Sequence, residues 1–123
     1  MDPWTRILLF LAGLMGAAGV AVAAAAAHMG GGDNLVTSAH FLLFHATALA
    51  GLLAVGLQLG RGRIALQAGA SAIALGAVLF SGDLAMRALM EVKLLGGSAP
   101  FGGTLMMAGW LIVAGAALFA RKA

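Results

Sequence analysis

The chain has 123 residues, 63% of them hydrophobic and only 9% charged, with a formal net charge of +3. A soluble domain carries about 25% charged residues to cover its surface, so a free-standing globule is excluded. The mean hydropathy of +1.06 points instead to an integral membrane protein whose outside is solvated by lipid. The absence of cysteine excludes disulfides, thiolate metal sites and thiol catalysis.

Four apolar blocks follow in order: Ile7–Ala27, Leu35–Leu59, Ile64–Leu84 and Phe101–Ala120. Each is close to the about 20 residues that cross a hydrocarbon core as a helix. None alternates as a barrel strand would, and a chain in lipid must satisfy its own backbone. The blocks predict an all-α fold, a four-helix transmembrane bundle running up-down-up-down as one domain over residues 1–123. Its helices are expected near residues 5–28, 35–59, 64–87 and 101–120, with connections near Met29–Asn34, Gly60–Arg63 and Ala85–Pro100. Ala25-Ala26-Ala27 resembles a signal-peptide cleavage site. The apolar run before it exceeds the about 7–15 residues of a signal core, so it reads as a retained helix.

Small residues recur inside the blocks: Gly13, Gly16 and Gly19 in the first, Gly51 and Gly56 in the second, Gly69 and Gly76 in the third, Gly109 and Gly115 in the fourth. Such residues let helix backbones approach where lipid supplies no hydrophobic drive. The same residues could serve self-association. Pro100, followed by Gly102 and Gly103, reads as a tight start to the fourth helix.

Basic residues set the orientation. Arg6, Arg61, Arg63, Arg121 and Lys122 fall at one end of the predicted bundle; Arg87 and Lys93 fall at the other, with Asp33, Asp83 and Glu91. The bias toward positive charge on the cytoplasmic side puts both termini in the cytoplasm. The isoelectric point near 10.8 then needs no nucleic-acid partner; it reflects topology signals with some attraction to anionic lipid.

The candidate functional residues are few. Ionisable groups at membrane depth are costly and tend to be functional or buried in protein, which singles out His28, His40 and His45. At a rise of about 1.5 Å per residue, His45 and Trp110 both fall near the midplane, within reach of a contact or a shared polar pocket. His40 and His45 lie about 140° apart around their helix and cannot face one partner together. They read as hydrogen-bonded structural histidines, or else as haem or quinone ligands; a metal site has no carboxylate at matching depth. Ser81, Asp83 and Arg87, with Ser98 and Thr104, gather in the outer half. Asp83 and Arg87 are four apart and form either a helix-end ion pair or, with His28 and His40, a polar vestibule.

These residues also carry a family resemblance. A glycine-rich first helix ending in His28 is followed by Thr37 through His45-Ala46 and Ala48-Leu49. Leu79-Phe80-Ser81-Gly82 and Leu84 come next, and then Pro100, Gly102-Gly103 and Gly109-Trp110. In that order, over nearly the whole length, the chain resembles the YgdD family of small four-helix inner-membrane proteins, a domain of unknown function with a eukaryotic transmembrane relative. His28, His45, Ser81, Pro100 and Trp110 match the family pattern. The chain departs from it at Ala26-Ala27-His28-Met29, Asp83 and Ala85, and has His40 where the pattern calls for no histidine. The resemblance implies the fold and an inner-membrane location; it implies no reaction.

Three function classes remain. The first is a non-enzymatic structural or accessory subunit packed against a larger membrane complex. The second is a haem- or quinone-binding anchor using His28, His40 or His45. The third, ranked last, is a small proton-coupled transporter, which would need a membrane-embedded carboxylate; helices one, two and four hold none, and Asp83 near a boundary is a poor substitute. No activated nucleophile, carboxylate pair or phosphate loop points to an enzyme. The sequence leaves any cofactor unknown and offers the bilayer, a larger complex or a second copy as partners.

Overall fold

The computed structural model describes residues 1–123. Four helices, α1 (Pro3–Met29), α2 (Gly32–Gly56), α3 (Arg63–Met90) and α4 (Ala99–Phe119), are each long and apolar enough to cross a membrane. α1 begins where Asp2 accepts the Thr5 N–H at 2.9 Å and Pro3 supplies a preset first turn. Gly30, Gly31 and Gly32 all have positive φ, which lets α1 turn into α2 without a longer loop.

The expected second helix reached Leu59, whereas α2 stops at Gly56. Leu59–Arg61 instead forms a short strand, β1, paired antiparallel with β2, Arg121–Lys122. Two glycines permit this. A Cβ on Gly60 would stand 3.3 Å from Ala123 Cα, and Gly62, at φ +89°, faces the Ala120 Cα. The pairing brings the second connection and the end of α4 together.

Each helix packs mainly on its neighbour in sequence: α1 on α2, α2 on α3, α3 on α4. α1 meets α3 over a short stretch, and no α1–α4 interface closes the ring. The bundle is therefore a row with α2 and α3 inside and α1 and α4 flanking.

The tightest contact is α3 against α4. Gly69 faces Gly109 and Gly76 faces Gly102, seven residues apart on each helix. A Cβ on Gly76 would lie 2.7 Å from the Gly102 carbonyl oxygen, and one on Gly102 would lie 2.5 Å from Phe80 N. Gly102 thus serves helix contact as well as the start of α4. Gly19 packs on Leu43 of α2, whereas Gly13, Gly51 and Gly115 have nothing within 4 Å of a Cβ and face outward.

Polar side chains hold α1 to α3 at the end carrying the termini. Asp2 pairs with Arg63. Gln67 donates to Asp2 at 3.0 Å and to Thr5 at 2.7 Å. Trp4 Nε1 donates to Ser71 at 2.8 Å. The Thr5 N–H and hydroxyl, then Arg63 and Gln67, hold the Asp2 carboxyl below the usual carboxylate range.

Gly102→Ala is expected to cost about 1–3 kcal/mol, the range for overpacking a tight contact, because its Cβ meets backbone that cannot rotate away. Gly13→Ala, with open space around it, should stay within about 0.5 kcal/mol of the parent. Unfolding of both variants in detergent micelles checks this; equal losses would show that the α3–α4 contact is not tight.

Candidate functional site

Near the middle of the membrane, α2 and α4 are linked by one polar bond. His45, halfway along α2, directs Nδ1 at the Phe41 carbonyl oxygen one turn back, 2.9 Å away. Its Nε2 accepts the Trp110 indole N–H at 3.1 Å. A carbonyl can only accept and an indole N–H can only donate, so these partners set the tautomer with the proton on Nδ1. His45 is buried, and the Phe41 ring stacks on it at 5.5 Å while tilting against Phe80 at 4.6 Å. The depth match between His45 and Trp110 in the sequence thus corresponds to a direct contact.

Beside this pair runs a groove of about 440 Å³, lined by Phe41, His45, Phe80, Gly103, Met106, Met107 and Trp110. It is aromatic and thioether-rich, and the three polar side-chain atoms in its wall are already bonded, His45 Nε2 with Trp110 Nε1 and His45 Nδ1 with the Phe41 carbonyl. It suits an apolar group. A ligand needing an imidazole nitrogen would first have to displace Trp110.

At the far end, Asp83 organises the connection between α3 and α4. Its Oδ1 accepts from Arg87 Nε at 3.0 Å and from the Leu94 N–H at 3.0 Å; its Oδ2 accepts from Arg87 Nη2 at 2.9 Å and from the Ala99 N–H at 2.9 Å. Ala99 is the first residue of α4, so the carboxylate caps that helix from α3, satisfying a donor that no turn of α4 can. Arg87 supplies the charge-assisted fork. The loop held in this way contains Glu91 and Leu95 at φ 55° and 51°, conformations that L-residues keep only when their surroundings enforce them.

Hydroxyls complete the interior. Ser38 of α2 donates to the Ser81 carbonyl at 2.7 Å, and Ser98 donates to the Leu79 carbonyl at 2.8 Å. The Ser81 hydroxyl itself is buried without a partner. Thr104 bonds back to the Pro100 carbonyl within α4 at 2.9 Å.

The remaining histidines stay apart from this network. His28 is exposed in the last turn of α1. His40 is exposed on α2, stacked on Phe44 at 5.6 Å. No hydrogen bond joins either to Asp83 or Arg87, so the vestibule of those four residues does not form; Asp83 turns instead to backbone N–H groups. No three His, Asp or Glu side chains gather closely enough to hold a metal ion.

Sequence reasoning passed over the α1–α3 staple, although Arg63, Gln67 and Ser71 stand at i, i+4 and i+8, the spacing of one helix face. It also passed over the strand that gathers Arg61 with Arg121 and Lys122, which no local pattern announces.

The profile of a family described as "Protein of unknown function (DUF423)" matches residues 15–103. The UPF0382 inner membrane protein YgdD of Escherichia coli K12 is 36% identical over 126 residues, covering 96% of this chain and 95% of that protein. UPF0382 membrane proteins of Staphylococcus haemolyticus and Staphylococcus epidermidis are 38% and 40% identical over 63 residues. In those two the match spans about half of each chain, 51% of this one and 52% of the relative. No solved structure matches. With four membrane-length helices and relatives named as inner membrane proteins, this is a multi-pass bacterial inner-membrane protein. The profile match over most of the chain and the near full-length similarity to YgdD place it in the same family: the chain belongs to the DUF423 (UPF0382) membrane proteins.

Proposed function

We propose that this protein is a non-enzymatic accessory subunit that packs against a larger membrane assembly. One observation carries the reading: its buried polar side chains are used up in holding its own helices. Thr5, Ser38, His45, Asp83 and Ser98 each bond a neighbouring element or their own backbone. Catalysis needs an acid, base or nucleophile held ready for a substrate, and Ser81 alone is buried with a free polar atom. Outward, the chain offers apolar helix faces. On them Gly13, Gly51 and Gly115 stand in open space, where a partner helix can approach closely.

A haem- or quinone-binding anchor is the second reading, favoured by the groove beside His45 and Trp110. Against iron ligation stands the Trp110 N–H on His45 Nε2; a quinone oxygen would need only to share that N–H. Proton-coupled transport has less support. It would rest on Asp83, whose two oxygens are already occupied by four hydrogen bonds that hold the α3–α4 connection.

We also place both chain ends in the cytoplasm. Arg6, Arg61, Arg63, Arg121 and Lys122 share the end with the termini, against Arg87 and Lys93 at the other.

Native mass spectrometry of the protein extracted gently from its own membranes, with an absorbance spectrum of the same sample, tests the function. An accessory subunit should migrate in one assembly of fixed stoichiometry without a Soret band. A bare monomer or homo-oligomer carrying a haem or quinone mass would favour the anchor. For orientation, a green fluorescent reporter on the C-terminus should be bright and alkaline phosphatase inserted at Gly96 active; the reverse pattern would invert the topology.

A further inference from the structure

The strongest feature outside the mid-membrane site lies at the end that carries the termini. Pairing β1 with β2 sets Arg61 directly opposite Arg121, and Leu59 opposite Lys122. Like charges placed opposite one another across a strand pair destabilise it, so the ribbon holds its cations together against their repulsion. No carboxylate side chain relieves them. Of the four acidic residues, Asp2 is taken by Arg63, and Asp33, Asp83 and Glu91 lie at the opposite end. Arg61, Arg121 and Lys122 are exposed and form no salt bridge, since the two in the protein are Arg63–Asp2 and Arg87–Asp83.

An apolar groove runs directly into this cluster. It has a volume of about 260 Å³ and is walled by the last turns of α2 (Leu52, Val55), the first turn of α3 (Leu66) and the last turns of α4 (Val113, Ala117). Leu59 of the ribbon and Ala120 beside Arg121 also line it, so the cations stand at its mouth. Alanine at positions 116, 117 and 120 keeps the α4 wall low. Arg61 is not free to drift from the mouth, because its guanidinium rests over the Phe119 ring with the central carbon 5.8 Å from the ring centroid.

We propose that this groove and ribbon form a binding site for an acidic phospholipid, with an acyl chain along the groove and the headgroup phosphate between Arg61, Arg121 and Lys122. The two halves of the site match the two halves of one lipid. A phosphate oxygen accepts charge-assisted hydrogen bonds from guanidinium and ammonium groups, and bringing that negative charge to the ribbon removes the repulsion between facing cations. The groove opens at membrane depth, where acyl chains are the solvent. Bound there, the lipid would tie α2, α3 and α4 together at the end opposite the Asp83 cap. The inference is independent of the accessory role and of which leaflet this end faces.

The test is native mass spectrometry of the detergent-solubilised protein after addition of phosphatidylglycerol or phosphatidylcholine with identical acyl chains, counting lipid adducts. Phosphatidylglycerol should be retained preferentially. Arg61→Gln and Arg121→Gln should each weaken its retention about fivefold, the effect of one cation near an anionic surface. Arg6→Gln, on α1 and away from the groove, should leave it unchanged. Ala117→Trp fills the groove while keeping every charge and should also lower retention. Equal retention of the two lipids would overturn the proposal. So would an Arg6→Gln loss equal to that of Arg61→Gln with no effect of Ala117→Trp, the signature of diffuse surface attraction. A dimer that Ala117→Trp dissociates would assign the groove to a second copy instead. The ribbon side chains are exposed and their charges repel, so their variants should unfold no lower than the parent, which is measured alongside.

Discussion

Lipid gives these helices no hydrophobic reason to meet, because acyl chains solvate leucine as well as another leucine does. Everything that fixes their positions must come from backbone proximity or from polar groups that the membrane cannot satisfy. The α3–α4 interface is the first kind, with Gly69 on Gly109 and Gly76 on Gly102 bringing carbonyl oxygens to where a Cβ would collide. The rest of the row is assembled around that pair by the second kind. Ser38 reaches from α2 to the Ser81 carbonyl of α3, and Trp110 reaches from α4 to His45 of α2.

The two ends of the molecule solve the same problem differently. At the far end a buried carboxylate, Asp83, gathers two backbone N–H groups and one guanidinium, so charge is consumed inside the fold. At the end with the termini, Asp2 does this for Arg63 alone, and four further cations, Arg6, Arg61, Arg121 and Lys122, remain outward. The contrast separates residues that are structural from residues that are available. By that criterion the mid-membrane histidine belongs with the structural ones, and the ribbon arginines do not.

Composition and run length were enough to read four spans and a membrane location, because these follow from hydropathy alone. The motifs around Phe80-Ser81-Gly82 and Gly109-Trp110 were enough to read the family. Which way each helix turns was not legible. A spanning helix is apolar on its lipid side and its packed side alike, so Gly13 and Gly51 look the same in sequence as Gly19 and Gly76 although only the latter two touch a neighbour. Asp83 was legible as half of an ion pair with Arg87 but not as the cap of α4, since that depends on how the loop returns. The β1–β2 ribbon joins residues some sixty positions apart, and nothing local to either segment announces its partner.

Helix length has a further consequence. α4 has 21 residues, about 31 Å at the usual rise, close to the roughly 30 Å of a bilayer's hydrocarbon layer. α1 and α3, with 27 and 28 residues, come to about 40 Å. α4, tied at its start to Asp83 and at its end to the ribbon, matches that layer most closely, and the longer α1 and α3 fit it only by tilting or by reaching past it. α1 is bonded to α3 by side chains only near its own beginning. Along the rest of its length α1 is carried by α2, with Gly19 against Leu43, so a membrane that thickens or thins is met by the row tilting as a unit.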